Sequence, residues 1–249
     1  MKEEKQLKFS RSKVDLYLKC PCCFYLDQRC GVKQPSSAPF TLNNAVDTLL
    51  KKEFDIYREK RQPHPFVERM GISAIPFMHE DIEKWRNNRI GIQYIHPQTN
   101  FLLYGAVDDV WQLPSGELVI ADYKTKATTG DITLEPKRKK NGDIIKTDSY
   151  LISYQKQIEF YQWLFKKNGF DVSKTAYFIF ANAIKDRPTF DDCLTFEKHL
   201  ISYEGDDSWV EPTIETISTY LQRETLPEQT DDCDYCKYRI GAQQIETYA

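Results

Sequence analysis

The chain has 249 residues, 41% of them hydrophobic and 13% aromatic, which suits a packed core and argues against global disorder. Its formal net charge of −3 and pI near 5.9 exclude a surface coated throughout for nucleic acid, which needs clustered Lys and Arg, but leave room for a local basic groove. No apolar run approaches the roughly 20 residues that cross a bilayer. The charged stretch from Met1 to Lys8 lacks the apolar segment of a secretory signal, so the expected compartment is the cytoplasm, with no membrane partner.

In chain order, Ser12 and Asp15 look like a capping box that opens a short helix, interrupted by Pro21. A second helical piece runs to Arg29 and stops at Gly31. Gln34 to Phe40 reads as a loop. Asn43 to Arg61 reads as a helix with an apolar stripe at Val46, Leu50, Phe54 and Tyr57, and Asp81 to Asn88 as a shorter one. The pattern then turns extended. Ile92 to His96, Phe101 to Leu113 and Glu117 to Lys124 are rich in strand formers, with turn signals at Pro97 to Asn100 and Pro114-Ser-Gly.

Beyond these strands, Thr128 to Asp148 is a polar loop or hairpin, and its Lys137-Arg-Lys-Lys run is either a solvated face or a phosphate contact. Tyr150 to Asn168 is a helix stopped at Gly169, Lys174 to Ala183 a buried strand, Leu194 to Tyr203 another strand, and Ser208 to Arg223 the last helix. The order helix, three strands, helix, strand describes an α/β or α+β domain with a mixed sheet. The four histidines share no metal-like spacing, and the four tryptophans read as core residues.

The chemistry concentrates on one hairpin. Taking Pro114-Ser115-Gly116 as a three-residue connection sets Leu113 against Glu117 and, counting outward, Asp108 opposite Asp122. Directly opposed residues hold their Cβ atoms about 4.5–5.5 Å apart. Two carboxylates at that distance repel unless one is protonated or a cation lies between them. Lys124, two residues past Asp122, projects from the same face, whereas Asp109 projects from the other. The plain alternative is a buried Asp–Lys ion pair, and a one-residue slip in register would undo the arrangement.

Gly105-Ala-Val-Asp108 and Asp122-Tyr-Lys124 resemble the GxxD and D-x-K motifs of the RecB-like branch of the PD-(D/E)XK nucleases, and Gln157-Ile-Glu-Phe-Tyr161 resembles that branch's QxxxY motif. The resemblance covers roughly residues 10 to 240. It implies a restriction-endonuclease-like αβββαβ core with a central mixed sheet flanked by helices, forming a single nuclease domain over 1–249 with its catalytic core at 92–185. It also implies hydrolysis of DNA phosphodiester bonds, single-stranded or with free ends. Asp108, Asp122 and the Tyr123 carbonyl are hard oxygen ligands suited to Mg²⁺ or Mn²⁺. Lys124 would orient the attacking water. Gln157 and Tyr161 would stand beside the site, or be ordinary packing residues of an amphipathic helix. Asp47 occupies the place where relatives often carry a histidine as a further metal ligand; its alternative is an exposed pair with Lys51. A helicase or a repair or defence complex is the partner the resemblance suggests. A chain that has lost catalysis and serves as a nucleic-acid-binding or scaffold subunit is the rival reading.

Seven cysteines without a secretory signal favour metal or cluster ligation over disulfides. Cys20-Pro-Cys-Cys23 and Cys233-Asp-Tyr-Cys236 are two C-x₂-C pairs, together a closed set of four thiolates for zinc or an iron–sulfur cluster. Segments 10–40 and 225–240 would then form a clamp joining the two ends of the chain. AddB-type and CRISPR-adaptation exonucleases of the RecB-like branch close a similar clamp with a [4Fe–4S] cluster, using one early and three late cysteines. Here the division is two and two, and zinc and cluster both stay open. Unliganded buried thiols are the bland alternative. Cys22 and Cys30 are substitute ligands, and Cys193 is a spare strand residue.

Overall fold

The computed structural model describes residues 6–36, 38–135 and 149–248. The Lys137-Arg-Lys-Lys run lies outside the described residues. The first elements are β1 (Lys8–Ser10), α1 (Arg11–Lys19), α2 (Pro21–Cys30), α3 (Thr41–Lys60), α4 (Pro65–Arg69), β2 (Ile75–Pro76) and α5 (Ile82–Arg86). Strands β3 (Ile92–His96), β4 (Phe101–Gly105), β5 (Asp109–Gln112) and β6 (Leu118–Lys126) follow. Helix α6 (Ser149–Lys167), strands β7 (Thr175–Ala183) and β8 (Phe196–Glu204), and helices α7 (Val210–Leu221) and α8 (Asp234–Tyr248) complete the order.

The chain divides into two compact units, one built from Met1–Ala38, Ile95–Tyr104 and Ser208–Ala249, the other from Pro39–Tyr94 and Gly105–Asp207. In the first, β1 runs parallel to β4, pairing Phe9 with Leu103. Helix α2 begins on Pro21, whose missing N–H costs nothing in a first turn, and ends on Gly31 at φ 73, the left-handed cap that glycine adopts without strain. The expected capping box is absent. Ser10 takes the N-cap position without a side-chain cap, its hydroxyl bonds that of Ser12 at 2.8 Å, and Asp15 pairs with Lys19 at 2.9 Å.

The second unit is organised by a five-stranded sheet in the order β2-β5-β6-β7-β8. Strand β6 is central: antiparallel to β5, parallel to β7, and buried on both faces from Leu118 to Tyr123. On one face Val119, Ala121 and Tyr123 meet Leu50 and Phe54 of α3, Val67 of α4 and Trp111 of β5. Burying a side chain such as Phe54 contributes about 1.5–3 kcal/mol. Helix α6, which bridges the parallel pair β6 and β7 as such a pair requires, packs on the other face, with Tyr154 against Phe178 and Phe180.

The five-stranded sheet is the expected mixed sheet, and a second, three-stranded sheet in the order β1-β4-β3 is added to it. One expectation needs correction. Instead of one strand from Phe101 to Leu113, the chain breaks between β4 and β5. The backbone there turns to other partners: the Val107 N–H donates to the Trp85 carbonyl at 3.0 Å, and Arg86 Nε donates to the Asp108 carbonyl at 3.1 Å. Strands β1 and β2 are short, and among the described residues α8 buries only Cys236 while Tyr238 and Ile245 stay exposed. None of these three presents the apolar period by which an element is read from sequence.

Candidate active site and cysteine centre

The β5–β6 hairpin sets the geometry. Its pairs run Gln112↔Leu118, Trp111↔Val119, Val110↔Ile120 and Asp109↔Ala121, the register from which counting outward leads to Asp108 and Asp122, although the ladder itself ends at Asp109. The turn closes with the Leu113 N–H on the Glu117 carbonyl at 3.0 Å, and Gly116 supplies the positive φ of 93 that the tight connection demands. Asp108 stands one residue ahead of β5, free of the ladder. Its Oδ2 accepts the Tyr123 N–H at 2.9 Å and its Oδ1 accepts from Lys51 Nζ at 3.2 Å. Asp122 is buried and ion-paired with Lys124.

Helix α3 brings a third acid. Lys51 also donates to Asp47 Oδ2 at 2.8 Å, which joins Asp47 and Asp108 through one ammonium. Burial first, and then the negative charge of Asp108, push the Asp47 carboxyl above its usual range. Burial alone would lower the Lys51 ammonium, but the Asp108 and Asp47 charges outweigh it and raise it. Asp47 Oδ1 is buried and has no hydrogen-bond partner among the described residues. Such an atom is costly unless something positive meets it. Asp47 and Asp108 share the Lys51 ammonium, and the unmet Asp47 oxygen is a hard donor of the kind a divalent cation takes, although among the described residues the three aspartates do not close into a ligand group as the four cysteines do.

Helix α6 supplies the polar surround. Lys124 Nζ donates to Gln157 Oε1 at 3.3 Å and lies 4.8 Å from the Tyr154 ring centre, while Gln157 Nε2 donates to the Tyr161 hydroxyl at 3.2 Å. Tyr161 in turn explains a motif glycine. A β carbon on Gly105 would stand 2.5 Å from Tyr161 Cε1.

Beneath this surface lies a network that the sequence reading missed. Asp109 is fully buried and is met by Arg58, by Arg86 at 3.1 Å, by Trp111 Nε1 at 3.2 Å and by the Tyr123 hydroxyl at 2.8 Å. Arg86 also grips both oxygens of Asp55 at 2.9 Å. Burial and the Asp109 charge push the Tyr123 phenol well above its usual range. One signal was available: Arg58 falls four residues after Phe54 on the apolar stripe of α3, and a charge on a buried face requires a buried countercharge.

The cysteine centre lies in the first unit. Sγ of Cys20, Cys23, Cys233 and Cys236 all lie within 4.8 Å of one another, the one such group among the described residues. Individual separations are 3.7 Å for Cys20 to Cys236 and 3.5 Å from Cys23 to each of Cys233 and Cys236. Cys20 closes α1 with its N–H on the Leu16 carbonyl, and Cys233 accepts the Lys237 N–H in the first turn of α8, so both pairs sit on helix ends. Burial would raise the Cys20 thiol, but hydrogen bonds from the Thr230 and Cys23 backbone outweigh it and hold it down to about 6. Burial pushes Cys23 up to about 11. Cys22 is buried but outside the group, and Cys30 and Cys193 are exposed, so the substitute ligands of the sequence reading are not drawn in.

A mixed sheet that carries opposed aspartates and a lysine two residues beyond one of them belongs to the architecture of metal-dependent nucleases. The chain is a member of the PD-(D/E)XK nuclease superfamily, whose family model matches residues 8–240. Among solved structures it is similar to one titled "Crystal structure of SSO0001", at 14% identity and a TM-score of 0.38, over 96% of this chain and 86% of that one. It is similar also to one titled "Crystal Structure of LHK-Exo in complex with dAMP", at 13% identity and a TM-score of 0.34, over 86% of each chain. No curated protein matches the chain. Among the described residues, no helix is long and apolar enough to cross a membrane.

Proposed function

We propose that this chain is a Mg²⁺- or Mn²⁺-dependent nuclease that hydrolyses DNA phosphodiester bonds, single-stranded or at free ends. The observation that supports the reading is that Asp108 accepts the Tyr123 N–H of β6, next to Asp122, whose carboxylate is ion-paired with Lys124. Asp108, Asp122, the Tyr123 carbonyl and Asp47 would hold the cation. When bound, it supplies a Lewis acid for the phosphodiester oxygen and lowers the pKa of a water.

The residues of the chain do the rest. Lys124, held by Gln157 and beside the Tyr154 ring, orients the attacking water and meets negative charge on the phosphate. Tyr161 keeps Gln157 in place. The Tyr123 N–H fixes the rotamer of Asp108, and Arg86 fixes its backbone. Asp109, on the opposite face, is a structural acid for the arginines below and takes no part in the chemistry.

The test is cleavage of end-labelled single- and double-stranded DNA by the full chain with Mn²⁺, with Asp108→Asn as control. Metal-dependent cleavage that the control lacks supports the reading. DNA binding with no cleavage would favour a subunit that has kept only recognition.

A further inference from the structure

The sulfur positions decide between the two fillings that the sequence left open. In a mononuclear tetrathiolate site with zinc–sulfur bonds of about 2.3 Å, the four sulfurs stand about 3.8 Å apart along the edges of a tetrahedron. A [4Fe–4S] cube bonds each thiolate to a different iron corner, and its sulfurs are spread to roughly 6 Å or more. Here every pair lies within 4.8 Å, and three of the pairs stand at 3.5, 3.5 and 3.7 Å. A cube does not fit between them; a single ion does.

The charge around the group agrees. Four thiolates on one divalent ion leave a net charge of about −2, which a buried site must offset. Arg239, one turn after Cys236 on α8, directs Nη2 toward the buried Cys22 sulfur at 4.0 Å. Its Nε is buried with no hydrogen-bond partner among the described residues. A guanidinium placed beside the cysteines helps balance a thiolate centre.

We infer that Cys20, Cys23, Cys233 and Cys236 form a mononuclear zinc site, and not the iron–sulfur cluster of the nucleases with one early and three late cysteines. The site ties the junction of α1 and α2 to the start of α8, and so closes a loop of roughly 200 residues whose entropy the metal bonds offset. It stabilises the fold and takes no part in hydrolysis.

The experiment is metal and acid-labile sulfide analysis of the full chain, purified anaerobically and then incubated with ferrous iron and sulfide. It does not read DNA cleavage, so its outcome is separate from that of the nuclease reading. One zinc per chain before and after the incubation, no labile sulfide, and visible cobalt–thiolate bands after cobalt exchange are expected. Cys22→Ser should keep the zinc and Cys233→Ser should lose it. Uptake of about four irons with sulfide, one iron without sulfide, or no bound metal would each overturn the assignment. Should Cys233→Ser fail to fold, the cobalt spectrum of the unaltered chain still decides between one ion and a cluster.

Discussion

The ring of Tyr161 occupies the space in which Gly105 would carry a side chain, with Cε1 2.5 Å from the position of a β carbon. The glycine of one motif and the tyrosine of another are thus two halves of one contact. Gly105→Ala should destabilise the fold by about 1–3 kcal/mol, the usual cost of overpacking. In a denaturant series, Tyr161→Leu should cost less in the Gly105→Ala background than alone. Strict additivity would contradict the contact.

Lys124 carries two burdens, which substitution can separate. It would serve the reacting phosphate, and it is the ion-pair partner of a buried Asp122. Lys124→Ala should lower turnover about 10²–10³-fold. It should also cost about 3–5 kcal/mol of stability, because a buried carboxylate loses its partner. Adding Asp122→Asn should restore much of the stability and none of the cleavage. Thermal melts and single-turnover assays on the same preparations read the two effects apart.

Arg86 is the hinge between the buried network and the site, since it holds Asp55, Asp109 and the Asp108 carbonyl. Arg86→Gln should lose about 3–5 kcal/mol. It should also weaken Mn²⁺ binding by the folded protein, measured by titration well below the melting temperature. Unchanged Mn²⁺ affinity would confine Arg86 to the core.

Glu53 gives a pH signature away from the site. Hydrogen bonds from His64 and Lys198, both at 2.8 Å, hold its carboxyl down to about 2, against an ordinary value of 4.5. A depressed carboxylate contributes stability that is fully present above its unfolded pKa and is lost as pH falls through the folded one. The stability lost in Glu53→Gln should therefore be constant above about pH 5 and vanish as pH falls from there toward 2. Urea melts at several pH values check this; a difference that persists at pH 2 would contradict it.

The register of the hairpin that carries the candidate site was legible from residue order alone, for a physical reason. A hairpin joined by three turn residues has its register set locally, so the pairing of Asp109 with Ala121 follows from counting, and alternation then assigns Asp109 to the face away from Asp108. Helices α2 and α6 were legible from their stops, Gly31 and Gly169. What counting could not supply was any relation between distant segments. That Lys51 joins Asp47 to Asp108, that Arg58 and Arg86 converge on Asp109, and that the chain breaks at Asp108 to form two sheets all depend on where α3 and α5 pack. Two C-x₂-C pairs announce four thiolates, but only their folded spacing separates one ion from a cube. Local period and spacing are written along the chain; distances between elements far apart in sequence arise from packing, and only packing brings the four cysteine sulfurs within 4.8 Å and joins Asp47 to Asp108 through Lys51.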